Sequence, residues 1–189
     1  MFDDRRDPAV KKALLLDRDG VINHENGYVY QIDEFKFIDG IFQLCRYFQD
    51  LEYLIIILTN QSGIARGLFS STQYQYLENW MLQQFRENNI MISAVYHCPH
   101  HPEYDIDCGC RKPKPGMLLK AKSDFHLDLR KSILIGDNFR DLDAGNTAGV
   151  CNLILFGNNC IQLSRPYTYL SVSEITQVQD YHHNTGCLS

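Results

Sequence analysis

The chain has no apolar run approaching the ~20 residues needed to span a bilayer, and no basic run longer than Arg5-Arg6 or Lys11-Lys12. With a formal net charge of -5 and no basic patch, nucleic-acid binding is not expected as the main activity. Small anionic substrates stay open, because local charge matters more than the total. The opening Met1-Phe2-Asp3-Asp4-Arg5-Arg6-Asp7 lacks the basic-then-apolar layout of a secretion signal. A soluble, cytoplasmic, monomeric protein without membrane or nucleic-acid partners is expected. An even cysteine count is also missing: the seven stand at 45, 98, 108, 110, 151, 160 and 187. An odd number without a signal argues against a disulfide framework.

What is present suits one globular domain. Of 189 residues, 44% are hydrophobic and 22% charged, enough for a core of ordinary composition. Apolar runs predict strands over 13–16, 53–58, 92–96, 132–135 and 151–155. Helices are predicted between them. One runs from an Asp39 N-cap to about Leu51, with Ile41, Leu44, Cys45 and Phe48 at helical spacing. A second follows Ser70 or Ser71 to about Glu87, a third opens at Pro115 and ends near Phe125, and a short fourth covers 140–148. Residues 18–38 and 97–116 read as loops. The alternation predicts an α/β fold with a parallel sheet and right-handed crossovers. Residues 1–12 form an N-terminal arm, 13–157 the core, and 158–189 a segment completing or decorating it. The tail from about Tyr181 reads as frayed.

Chemistry concentrates where strands end. Leu14-Leu15-Leu16 runs into Asp17-Arg18-Asp19-Gly20-Val21, two carboxylates at i, i+2 that repel unless a cation or a proton intervenes. The second strand ends at Thr59-Asn60-Gln61-Ser62-Gly63, and the fourth at Gly136-Asp137, with Asp141 four residues on. Lys112 or Lys114 stands in the loop before the Pro115 helix. Each alone is an ordinary cap, strand residue or loop lysine. Four such features in order at one sheet edge, where open α/β sheets bind ligands, are not.

This series resembles the four-motif signature of the haloacid-dehalogenase (HAD) superfamily phosphatases, with the match running from about 13 to 157. The resemblance implies a Rossmann-like sheet flanked by helices on both faces, with no large cap domain between Asp19 and Thr59. It implies Asp17 as the nucleophile that becomes an aspartyl-phosphate, and Asp19 as general acid and then base. Carboxylate-bound Mg²⁺ lets an ionised nucleophile approach a phosphate dianion. Asp17, Asp137 and, through its backbone carbonyl, Asp19 are the implied Mg²⁺ ligands, with Asp141 orienting the site. Thr59 and Lys112 would hold the transferring phosphoryl group, with Lys114 as the fallback cation.

A second cluster is separate. Cys98-Pro99-His100 and Cys108-Gly109-Cys110 offer three thiolates and an imidazole, a donor set that fits a closed, structural Zn²⁺ site. Free cysteines in a loop are the bland alternative, and His97 and His101 are alternative ligands. The loop runs straight into Arg111-Lys112-Pro113, so zinc would fix the cations at the site's mouth.

Together with Gly27-Tyr28-Val29 and Cys98-Pro99-His100-His101, these motifs resemble the D-glycero-D-manno-heptose-1,7-bisphosphate 7-phosphatases and their histidinol-phosphate phosphatase relatives. That likeness implies a Mg²⁺-dependent sugar-phosphate phosphatase serving nucleotide-activated heptose and lipopolysaccharide synthesis. Substrate contacts are implied for Glu25, Asn26, Gly27 and Tyr28 at the entrance, for Asn60, Gln61 and Ser62 behind the second strand, and for Arg111 and Asn138. Two departures bear on specificity: the family typically carries Lys after the motif-four Asp, where this chain has Asn138, and the loop between the two halves of the zinc site is short. A histidinol-phosphate or other small sugar-phosphate phosphatase is the alternative enzyme, and a catalytically silent scaffold the alternative class.

Overall fold

The computed structural model describes residues 10–104, 108–157 and 165–185. Most of the predicted N-terminal arm, Cys160, Cys187 and residues 186–189 lie outside them.

Ala13–Leu16 form β1, and all four side chains are buried. They divide between two cores because successive side chains point to opposite faces of a sheet. Leu14 and Leu16 enter one core with Ile55 and Ile57; Ala13 and Leu15 enter the other with Ile56 and Leu58. That two-sided burial explains why the strands read as unbroken apolar runs. The other strands are β2 (Leu54–Asn60), β3 (Ile92–Cys98), β4 (Ile133–Gly136), β5 (Asn152–Phe156) and β6 (Leu170–Val172). They form one six-stranded sheet in the order β3-β2-β1-β4-β5-β6, and every pairing is parallel.

Helices cover both faces. The helices α1 (Ile41–Asp50), α2 (Ser71–Glu87) and α5 (Gln177–Thr185) bury Leu44, Phe48, Leu77, Phe85 and Val178 in the first core. The second core takes Leu118 and Ala121 from α3 (Gly116–Phe125) and Leu142 from α4 (Phe139–Ala148). The chain builds outward from β1 to β3 and then crosses to β4. The reversal therefore falls between β1 and β4, where a doubly wound sheet opens a crevice at its carboxyl edge. Asp17 N donates to Ile135 O at 3.0 Å, fixing the first motif against the fourth.

Several expected boundaries move. Asp39 is not the N-cap of α1: Gly40 is, at φ 84° and with no side-chain hydrogen bond. The positive φ turns the chain into the helix where only glycine sits without strain. The second strand continues through Asn60, and the third through Cys98, pairing Thr59 with His97 and Asn60 with Cys98. The loop therefore begins after Cys98, not at 97. α2 keeps its expected start, because Ser70 and Gln73 form a reciprocal capping box.

The segment after Gly157 holds structure that the apolar pattern did not reveal. β6 adds a sixth strand, and residues 181–185, expected to fray, lie within α5. Docking holds that helix: Tyr47 Oη sits 3.0 Å from His182 Nδ1, and the His182 ring meets Phe48 edge-on at 5.1 Å.

Candidate active site

At the end of β1 the chain leaves the sheet through a tight loop. The N–H groups of Ile22 and Asn23 donate to Arg18 O, and Gly20 N–H donates to Asn23 O. Gly20 has φ +83°, and any Cβ there would collide with the Asp137 carboxylate. The glycine thus serves two ends: it takes the left-handed turn and lets a carboxylate from β4 lie against the loop from β1.

Asp17 lies at the bottom of this crevice. Its Oδ1 accepts the Arg18 N–H at 2.8 Å and pairs with Lys112 Nζ at 2.9 Å; Oδ2 accepts no hydrogen bond among the described residues. Lys112 is buried, and its ammonium also reaches Asp141 Oδ1 at 2.8 Å and donates to Leu58 O at 2.7 Å. Two carboxylates and a carbonyl oxygen surround the ammonium, the compensation a buried lysine needs to stay charged. Burial opposes that charge, but Asp141 and Asp17 outweigh it and raise the Lys112 pKa.

Asp17, Asp137 and Asp141 each bring a carboxylate oxygen to within 4.8 Å of the others. Burial pushes Asp17 up to about 8, with Asp141 and Asp137 adding to the rise and Lys112 opposing it. Asp137 is raised to about 7 by burial, then by Asp141 and Glu25. Three converging carboxyls with one lysine are short of positive charge, and a hard divalent cation with oxygen ligands supplies it. The donor set therefore fits Mg²⁺. Asp141 is engaged on both oxygens, by Lys112 and by the Asn138 N–H at 3.1 Å, which suits an orienting group. Asp137 has no hydrogen-bond partner among the described residues, which suits a ligand.

The Asp19 side chain stands apart from this triad. Arg18 grips it through Nη2–Oδ1 at 2.7 Å and through Nε at 3.1 Å to each oxygen. Asn23 Nδ2 donates to Oδ1 at 3.1 Å and Gln61 Nε2 to Oδ2 at 2.8 Å. Gln61 donates also to Thr59 Oγ1 at 2.8 Å, tying the second motif to the first. Arg18 itself is only 2% exposed, with Nη2 on Val29 O at 2.8 Å.

The cavity above these groups has a volume of about 450 Å³. Asp17, Asp19, Thr59, Lys112, Glu25, Gly27, Tyr28, Asn60, Gln61, Ser62 and Arg111 all line it. Two expected contacts do not: Asn26 is not among the lining residues, and Asn138 is spent as the N-cap of α4, its Oδ1 accepting the Arg140 N–H at 3.1 Å. Asn60 reaches the wall chiefly as a clamp: its amide exchanges two 3.1 Å bonds with the backbone of Lys112. Lys114 is not a lining residue. Arg66, His101 and Arg140 line the cavity without having been expected there. Arg66 lies three residues past the Thr59–Gly63 motif and Arg140 sits inside the Asp137–Asp141 spacing, so proximity to motifs was the only available signal.

The second cluster closes on itself. Cys98 Sγ lies 3.6 Å from His100 Nδ1 and from Cys108 Sγ. Cys110 Sγ lies 3.0 Å from Cys98 Sγ and 3.4 Å from His100 Nδ1. A tetrahedron with Zn–S bonds of about 2.3 Å has S···S edges of about 3.8 Å, so these four donors are placed to hold Zn²⁺. His97 is turned away, its ring 4.5 Å from that of Tyr74. His101 lies at the cavity rim, where Arg66 Nη2 approaches its Nε2 at 2.9 Å.

A parallel sheet with Asp17 and Asp137 facing each other across its switch point, and a buried lysine between carboxylates, defines a HAD-like phosphomonoester hydrolase. The HAD-hydrolase-like family model matches residues 109–158. A D-glycero-alpha-D-manno-heptose-1,7-bisphosphate 7-phosphatase from Campylobacter jejuni is 54% identical over 144 residues, 76% of this chain and 81% of that protein. A D-glycero-beta-D-manno-heptose-1,7-bisphosphate 7-phosphatase from Vibrio cholerae is 41% identical over 175 residues, covering 90% and 91%. The D,D-heptose 1,7-bisphosphate phosphatase of B. bronchiseptica, solved with magnesium and phosphate, superimposes with a TM-score of 0.83 at 31% identity, over 92% of this chain and 98% of that one. The chain belongs to the heptose-1,7-bisphosphate 7-phosphatase family.

Proposed function

We propose that the protein hydrolyses the 7-phosphate of D-glycero-D-manno-heptose 1,7-bisphosphate through an aspartyl-phosphate on Asp17. The observation that carries the chemistry is the state of the Asp17 carboxylate: Oδ1 is held by Lys112 and a backbone N–H, leaving Oδ2 to attack. The names of the relatives carry the substrate.

Asp17 Oδ2 attacks phosphorus in line, the P–O bond to the sugar breaks, and the departing alkoxide takes a proton from Asp19. Water then attacks the phosphoryl group, gives its proton to Asp19, and the acyl-phosphate P–O bond breaks to regenerate the Asp17 carboxylate. Lys112 and the Thr59 hydroxyl steady the phosphoryl oxygens throughout. Arg18, Asn23 and Gln61 hold Asp19 at the cavity wall. Asp17 and Asp137 would hold Mg²⁺, which would supply positive charge to the phosphoryl oxygens. Arg111, placed by its Nη1 bond to His100 O at 3.2 Å, contacts the sugar side.

The test is a phosphate-release screen over both heptose 1,7-bisphosphate anomers, histidinol phosphate and simple sugar phosphates, with and without Mg²⁺. The highest kcat/KM is expected on a heptose bisphosphate, and Asp17→Asn should abolish release while preserving the circular dichroism spectrum. Faster turnover of histidinol phosphate would reassign the substrate.

A further inference from the structure

Three separate pieces of chain meet at the rim of the catalytic cavity, and one side chain touches residues of the other two. Tyr28 belongs to the entrance loop, Arg66 to the turn after β2, and His101 and Tyr104 to the segment that continues from the thiol cluster through His100. Tyr28, Arg66 and His101 all line the cavity. Arg66 Nη2 lies 2.9 Å from His101 Nε2. The same guanidinium stands over the Tyr28 ring at 5.9 Å and over the Tyr104 ring at 5.8 Å.

A guanidinium suits this position because it is planar: its faces stack on rings while its N–H groups donate within the plane. The backbone that carries it is fixed independently of the side chain. The Arg66 N–H donates to Ser62 O at 3.1 Å, the Gly67 N–H to Ile64 O at 3.0 Å, and the Ala65 N–H to Pro99 O at 3.3 Å. The far wall is tied as well, since the Tyr104 N–H donates to His101 O at 3.0 Å and the two rings lie 5.4 Å apart. The entrance side is held more lightly. Val29 O is anchored by Arg18 Nη2 at 2.8 Å, but residues 24–28 before it are exposed. Tyr28 is held there through its ring, by Phe69 at 6.4 Å and by Arg66.

We propose that Arg66 is a positioning residue, a strut that carries the order of the zinc-binding segment across the mouth to Tyr28. Zinc then sets the entrance loop as well as the loop that binds it. The kinetic consequence rests on the phosphatase reading above; the strut itself does not. A loop ordered in advance loses little freedom when substrate arrives, whereas one that must be ordered on binding weakens the complex. The loss therefore falls on KM, while Asp17 and Lys112 deeper in the cavity keep kcat.

The experiment measures backbone-amide order parameters of residues 26–28 by nitrogen relaxation, without substrate, in the parent, Arg66→Ala, Arg66→Lys and Tyr104→Ala. Each protein is studied with zinc bound and after zinc is withdrawn. The zinc-loaded parent should give values near 0.85, and both zinc-loaded Arg66→Ala and the zinc-depleted parent values below about 0.6. Withdrawing zinc from Arg66→Ala should lower them no further. Tyr104→Ala, a change in the zinc segment and not in the entrance loop, should lower them too. Arg66→Lys should recover part of the order, because it keeps the charge without the plane. Amides of β5, three strands from β2, should stay unchanged throughout. On heptose 1,7-bisphosphate, KM of Arg66→Ala should rise about fivefold or more, as loss of two cation–π contacts implies, with kcat within about twofold. Order parameters that ignore Arg66→Ala, or that fall further when that variant loses zinc, would overturn the strut. So would a loss in kcat at constant KM, or a parent that binds no zinc. A parent inactive on every phosphate ester overturns the phosphatase reading, and the order parameters then decide the strut alone.

Discussion

Lys112 Nζ sits 2.9 Å from Asp17 Oδ1, both groups buried, with the ammonium arriving from the loop between β3 and α3 and the carboxylate from the end of β1. Neither residue is near the other in sequence, and neither is at ease in the interior alone. In the proposed mechanism the contact joins the cation that would steady the phosphoryl group to the carboxylate that would attack it.

Lys112→Met removes the charge at nearly constant length. It leaves Asp17 and Asp141 facing each other without compensation, so stability should fall by up to about 3–5 kcal/mol, less where a carboxyl takes up a proton. The kcat should drop about 100-fold or more, as when one donor to a developing oxyanion is lost. Denaturant unfolding and steady-state kinetics read the two effects separately. Full activity in this variant would remove Lys112 from the phosphoryl site.

Gly20→Ala tests the meeting of Asp137 with the first motif. The new methyl must take a positive φ, costing about 1–2 kcal/mol, and must displace the Asp137 carboxylate. The Mg²⁺ concentration for half-maximal activity should rise about tenfold or more, and the rise in melting temperature on adding Mg²⁺ should shrink. An unchanged Mg²⁺ response would mean that Asp137 is not a ligand.

Cys108→Ser addresses the second cluster. Mass spectrometry of the intact metal load should give about one zinc per chain for the parent and little for the variant. Activity should fall with the zinc, because Arg111 and Lys112 follow Cys110 directly. A parent purified without chelator and free of zinc would count against the site.

His182 gives the fold a pH dependence. Its pKa is lowered by burial, then by Lys12 and His183, so the folded protein favours the neutral ring and binds fewer protons there than the unfolded chain. This contribution to stability is complete above the ordinary histidine pKa of about 6.5 and is lost as pH falls below it. Hydrogen exchange in α5, corrected for intrinsic rates, should therefore quicken between pH 7.5 and 5.5. His182→Gln should flatten that response.

The centre of the site was legible in the sequence because its chemistry is local: apolar runs stop at Asp17, Thr59 and Asp137, and buried strands announce themselves. β6 was not legible, since three residues with only Val172 fully buried show no period. Nor was α5, whose Gln177–Thr185 stretch is polar except for Val178 and depends on docking against Tyr47 and Phe48. The two asparagines show a different limit. Asn60 and Asn138 are the right type for holding a substrate, yet their amides serve Lys112's backbone and a helix end. An amide serves backbone and ligand with the same atoms, so residue type does not distinguish the uses. The arginines at the mouth were hidden for a related reason, because a long flexible cation reads as solvated until its surroundings are known.

Only Arg111 separates Cys110, which completes the thiol cluster, from Lys112 in the catalytic cavity. With both sites filled, a strong chelator such as EDTA would act on two ions at once. Activity restored by Mg²⁺ alone would report the ion proposed at Asp17 and Asp137. Activity restored only after Zn²⁺ is also returned reports a loop that had to refold around Cys98 and His100 before Lys112 could regain its seat.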